Sequence, residues 1–249
     1  MTGSQSTGVL GATKRRERLF FSGMAIALAL VVFAGFSRTY YFRGAFGSPE
    51  LTLPLLAHGF AFTSWMVLLV VQTSLVAANR IAMHRRFGIA GAILAVLMMV
   101  LGAYVAITRT RDGLTLVPPG TTRLASLSLS VATLVVFPAL LGAALWFRKS
   151  AAIHKRLVLI ATLELVTAAV GRLPGVFVPL GAFGPLGPLG LFGLTDLFVV
   201  AIALYDLATL KRIHAATLWG GLFLIASQAL RLVIGPTAAW QAFAAWLTS

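Results

Sequence analysis

Residues 51–88 read LTLPLLAHGFAFTSWMVLLVVQTSLVAANRIAMHRRFG. An apolar run ends in a short basic turn, and a second apolar run begins. At about 1.5 Å per residue, roughly 20 helical residues match the ~30 Å hydrocarbon core of a bilayer. His58, Trp65, Gln72 and Asn79 recur every seven residues. Seven residues is nearly two helical turns, so the four lie along one slowly drifting stripe. Lipid offers such groups no partner, so the stripe must find its partners on other helices.

The rest of the chain supplies those helices. Of 249 residues, 59% are hydrophobic and only 10% are charged, where soluble domains carry about a quarter charged residues. Mean hydropathy is +0.95. The expected fold is all-α, an integral membrane bundle. Seven apolar runs predict spans over 19–37, 52–78, 87–108, 124–147, 156–173, 190–210 and 215–234. The run at 19–37 is too long for a cleaved signal and lacks an A-x-A site. Three regions follow: a basic cytoplasmic tail at 1–18, a seven-helix domain at 19–235, and a C-terminal amphipathic segment at 236–249. In that last segment Trp240, Phe243 and Trp246 fall three apart, as in a helix lying in the membrane interface.

The formal net charge is +14, and the Lys and Arg residues cluster between apolar runs. With the N-terminus cytoplasmic, thirteen of the twenty fall on the inner side. That bias predicts an N-in, C-out protein of the cell inner membrane, with anionic lipid head groups at its cytoplasmic face. Nucleic-acid binding has no support, because no basic stripe lies on a solvated domain. Cysteine is absent, which excludes disulfides, iron–sulfur clusters and thiolate metal sites. No phosphate-binding loop, serine-hydrolase elbow or zinc-protease motif occurs. Between spans five and six, PGVFVPLGAFGPLGPLG (174–190) holds too many prolines and glycines for a regular helix. It is expected to be an apolar interfacial linker or a lid over an outward-facing site.

Polar residues within the runs form two groups. Toward the outer side lie His58, Glu164, Arg172, Asp196, Gln228 and Arg231. Glu164, ten residues after His154, is expected about 15 Å deep. Buried ions need partners, so Arg172 or Arg231 is expected on Asp196, and Glu164 on whichever base or amide faces it. Such a group either ties helices together or lines an outward cavity for a small-molecule ligand. Toward the inner side lie Gln72, Asn79, His84, His154, Tyr205, Asp206 and His214. RIAMHRRFG (80–88), RKSAAIHKRL (148–157) and KRIHAATLWG (211–220) form a weak repeat that places the three histidines at one depth. No His pair has the i, i+3 or i+4 spacing that preforms a metal site, but two of these histidines on facing helices could ligate one haem. Met83, Met98 and Met99 are further conceivable axial ligands. His58 is alone in its half, so a second, outer bis-histidine haem has no ligands. Trp65, between the two groups, is expected to seal one from the other.

The His58, Trp65, Gln72 and HRRFG spacing, followed by HKRLVLIATLEL (154–165), resembles an uncharacterised bacterial family of multi-pass membrane proteins. The likeness covers most of the chain and implies topology rather than chemistry. More distantly, the chain is similar to haem-handling membrane proteins and b-type cytochromes, but it lacks their two His pairs stacked across the membrane. Three functions are therefore expected: a haem-associated or redox-linked protein, a transporter or binding protein with an outward cavity, or an assembly factor without ligand.

Overall fold

The computed structural model describes residues 3–115, 117, 120–173 and 188–249, with side chains described from Arg15 onward and, after the gap, from Phe192. The linker expected over 174–190 therefore falls almost wholly outside the described residues. The described chain is all-helical. The helices are α1 (Gly3–Phe36), α2 (Leu53–Ala77), α3 (Ile81–Arg111), α4 (Arg123–Trp146), α5 (Ala151–Val170), α6 (Pro188–Leu210), α7 (Ala215–Ile234) and α8 (Ala238–Leu247). A π-helical turn, Ser37–Tyr41, continues α1. The basic tail is helical from Gly3 and runs unbroken into α1.

Local chemistry sets the boundaries. Thr122 caps α4 by accepting from the Ala125 amide, and Thr237 caps α8 by accepting from the Trp240 amide. Pro54 sits in the first turn of α2, where no amide hydrogen is needed. The α2–α3 turn passes through Asn79 at φ 58°, and Arg18 of α1 braces it by donating to Asn79 Oδ1 (2.6 Å) and the Ala77 carbonyl (3.1 Å).

Among the described residues, six helices are long and apolar enough to cross a membrane, which fits a multi-pass membrane protein. They are α1 with its π turn, α2, α3, α4, α6 and α7. The exception is α5. Lys155, Arg156 and Glu164 all fall within its 20 residues, too many charges for a helix that meets lipid. Burial explains them. Residues 159–166 of α5 are buried without interruption, and eight consecutive residues exceed two turns, so every face of the helix is covered. α1, α4, α6 and α7 pack around it. The α1 contact is close: a Cβ at Gly35 would stand 2.8 Å from the Ala169 carbonyl carbon. The bundle is thus organised around α5, and the striped α2 belongs to the sheath.

α3 is the opposite case. Gly91, Ala95 and Met98 form one buried stripe, while Ile89, Ile93, Val96, Leu97 and Val100 are exposed. α2 and α3 form an antiparallel hairpin whose register is read from three contacts: Gln72 against Gly88, Leu68 against Gly91, and His58 against Gly102. Each of the three turns α2–α3, α4–α5 and α6–α7 carries Arg or Lys, as do the residues just before α1's apolar run. We call this the basic end. At the opposite end α8 folds back on α4, where Trp240 Nε1 donates to the Leu124 carbonyl (2.8 Å).

Candidate functional site

The charged groups of α5 are fully engaged. Near the basic end, Arg156 is 2% exposed and Asp206 of α6 is wholly buried. Arg156 Nε donates to Asp206 Oδ1 (3.0 Å) and Nη2 donates to the same oxygen. Asp206 Oδ2 accepts from Thr217 Oγ1 (2.5 Å) and from the His214 amide (3.1 Å). Two turns along α5, Glu164 receives a two-pronged contact from Arg231 of α7: Nη1 to Oε1 (2.8 Å) and Nη2 to Oε2 (3.0 Å). Thr133 of α4 adds a third bond to Glu164 Oε1 (2.7 Å), and Ser227 supplies both its hydroxyl and its carbonyl to Arg231. Two forked ion pairs with saturated surroundings bind α4, α6 and α7 to α5. Trp65 adds α2 by donating from Nε1 to Thr162 Oγ1 (3.3 Å) while its ring meets Phe137 edge-on.

The expected outer group does not form one cluster. Arg231 pairs with Glu164, not Asp196. Asp196 instead accepts from Gln228 Nε2 (3.0 Å). Arg172 has no carboxylate partner; it donates to the Ala168 carbonyl (2.5 Å) and lies over the Phe36 ring at 4.5 Å. The reason is angular. Gln228 and Arg231, three residues apart on α7, straddle its interface, so one reaches α6 and the other α5. His58 lies against Phe62 (4.3 Å between ring centres, planes tilted by 32°) on the α2–α3 side. A groove of about 430 Å³ lies at the basic end beside α4 and α7, lined by Leu140, Phe147, Leu157, His214, Trp219 and Phe223. Neither Glu164 nor His58 lines it.

The inner group divides as well. His214 is the N-cap of α7, its Nδ1 accepting from the Ala216 amide (3.1 Å). Burial, and then the Arg156 guanidinium, hold its pKa below the usual histidine value, which keeps the ring in the neutral form that can cap. Asn79 is committed to Arg18 and Tyr205 is stacked on Phe20. The expected ring of three histidines is therefore not assembled, because a first-turn histidine and a capping histidine point differently. Among the described residues no group of three or more His, Asp or Glu side chains is arranged to hold a metal ion. Met98 is fully buried in the apolar core, and Met83 is exposed.

His84 and His154 do meet. Their ring centres are 6.3 Å apart and their planes nearly perpendicular, at 84°. His154 Nδ1 bonds the Ala144 carbonyl (2.8 Å), which leaves Nε2 free. His84 Nδ1 is buried without a partner, as is Gln72 Oε1 nearby. With metal–nitrogen bonds of about 2.0–2.1 Å, two imidazoles on opposite sides of one metal place their ring centres about 6.4 Å apart. The second ring nitrogen held by a backbone carbonyl is the usual support of a ligating histidine. The ring separation alone matches that of a trans histidine pair. Sequence spacing missed that only two of the three histidines are neighbours, since it carries no information on which hairpins touch.

Compared with known proteins, the chain matches no family model, no curated protein and no solved structure.

Proposed function

We propose that this is a seven-span inner-membrane protein that holds a haem between His84 and His154 at its cytoplasmic end. In this reading α5 is the seventh span, crossing among α1, α4, α6 and α7, and the excess of Lys and Arg at the basic end supports a cytoplasmic position for that end. The observation that carries the haem reading is the 6.3 Å approach of two rings from different helices, each with one nitrogen unused. Two histidines satisfy a six-coordinate haem, whereas a structural zinc site needs four protein ligands and a catalytic one three. Arg85, Arg86, Arg148 and Lys149 lie at the same end and would meet carboxylates at the membrane surface. A haem held this way supplies one-electron redox chemistry. The chain's own part is to fix ring orientation through Ala144 and to shelter His84 behind Gln72. The test is the absorption spectrum of protein purified after haem-replete expression. A Soret band is expected, and a featureless visible spectrum would end the proposal.

A further inference from the structure

We propose that the region at the opposite end around His58, Arg172 and Arg109 binds an oxyanion, a phosphate or carboxylate group. The argument begins with charge. The chain has six acidic residues, and five are committed: Glu17 to Lys155, Glu164 to Arg231, Asp206 to Arg156, Asp112 beside Arg111, and Asp196 to Gln228. The sixth, Glu50, is exposed and makes no ion pair among the described residues. Residues 174–187 contain no acid at all. Arg172 therefore has no internal counter-ion. One of its five N–H groups is used, on the Ala168 carbonyl, and its flat face rests on Phe36. A guanidinium packed on an aromatic ring with a free fork is built for bidentate recognition of an oxyanion.

Its neighbours sharpen this. Arg172 lies within electrostatic reach of Arg109 and of His58. Arg109 is seven residues beyond Gly102 on α3, hence on the same face, and Gly102 is the residue that meets His58. Two cations are thus brought together with a histidine and no acid. His58 Nδ1 is buried without a partner, and so is the hydroxyl of Thr110, next to Arg109. Thr110 is 1% exposed. Like charges gathered in a low dielectric repel one another, and a bound anion reverses that sign. The anion is either free in the outer solution or the phosphate of a lipid head group. The chemistry is shared.

Thermal unfolding of the full chain separates the sources. One arm uses detergent-purified protein at fixed ionic strength, exchanging chloride for inorganic phosphate or acetate. The other uses nanodiscs of zwitterionic lipid with or without phosphatidylglycerol. A rise in Tm is expected in at least one arm, with the apparent affinity weakened at least about tenfold in Arg172→Gln. Arg111→Gln, at an exposed site beside Asp112, should leave it unchanged. A response in detergent identifies a free anion, and a response confined to phosphatidylglycerol identifies a head group. No response in either arm, or a response unaltered by Arg172→Gln, overturns the proposal. Should Arg172→Gln not fold, Arg172→Lys and His58→Asn replace it: the first loses the fork and keeps the charge, the second removes the imidazole. An unaltered response in both would be equally decisive against it.

Discussion

The α5 core and the α2–α3 hairpin treat polar groups in opposite ways. Around α5 each buried ion meets a counter-ion and supplementary donors or acceptors, as at Arg156–Asp206 and Glu164–Arg231. Among the described residues, the buried polar side-chain atoms without partners are His58 Nδ1, Gln72 Oε1, His84 Nδ1 and Thr110 Oγ1. All four lie on α2 or α3. Unsatisfied buried groups are costly, so each calls for a partner such as a water, an ion or a ligand. The contrast teaches that the buried charges of α5 hold helices together. The paired ions are the fasteners, and the neutral groups left open lie on the α2–α3 hairpin.

Substitutions can break this comparison. The largest effect is expected at Glu164→Ala, which strands Arg231 in the core and should lower stability by about 3–5 kcal/mol in thermal unfolding. The paired change Glu164→Leu with Arg231→Met should recover most of that loss, and a double variant as unstable as the single one would show that the pair does more than fasten. Next is Gly35→Leu, which pushes a side chain into the α5 backbone at Ala169. About 1–3 kcal/mol of destabilisation is expected from overpacking, and an unchanged Tm would contradict the α1–α5 contact. On the hairpin the sign changes: Gln72→Leu removes an unpartnered acceptor and should shift stability by less than about 1 kcal/mol. A loss as large as at Glu164 would erase the distinction between the two regions.

The smallest effect concerns pH. Folding lowers the His214 pKa, so the unfolded chain takes up that proton first. Stability is then expected to fall as pH drops through about 6.5, levelling off below the folded value. In His214→Asn, which can still cap α7, this acid sensitivity should be reduced, as read from Tm between pH 8 and 5.

The fold was largely legible in the sequence. Run lengths of about 20 apolar residues located the helices, and basic turns located one end of the bundle. The centre was harder to find. A stripe of His, Trp, Gln and Asn on α2 draws the eye, yet the helix with three charges in 20 residues is the one covered on every side. That signal was present: such a helix cannot meet lipid, so it has to be surrounded. Partner choice was not legible. Asp196 and Glu164 were equally open to Arg231 in sequence, and only the rotation of α7 decides between them. The expected three-histidine ring failed for a similar reason. His84 and His154 open their helices from within the first turn, while His214 stands one residue outside as a cap.

The most direct test of the account compares the absorption spectra of His84→Ala, His154→Ala and His214→Ala beside the parent protein, all purified after haem-replete expression. Loss of the Soret band in the first two with retention in the third is the predicted result. A band that survives His84→Ala and His154→Ala together, or that disappears only in His214→Ala, would contradict the division between open hairpin and closed core.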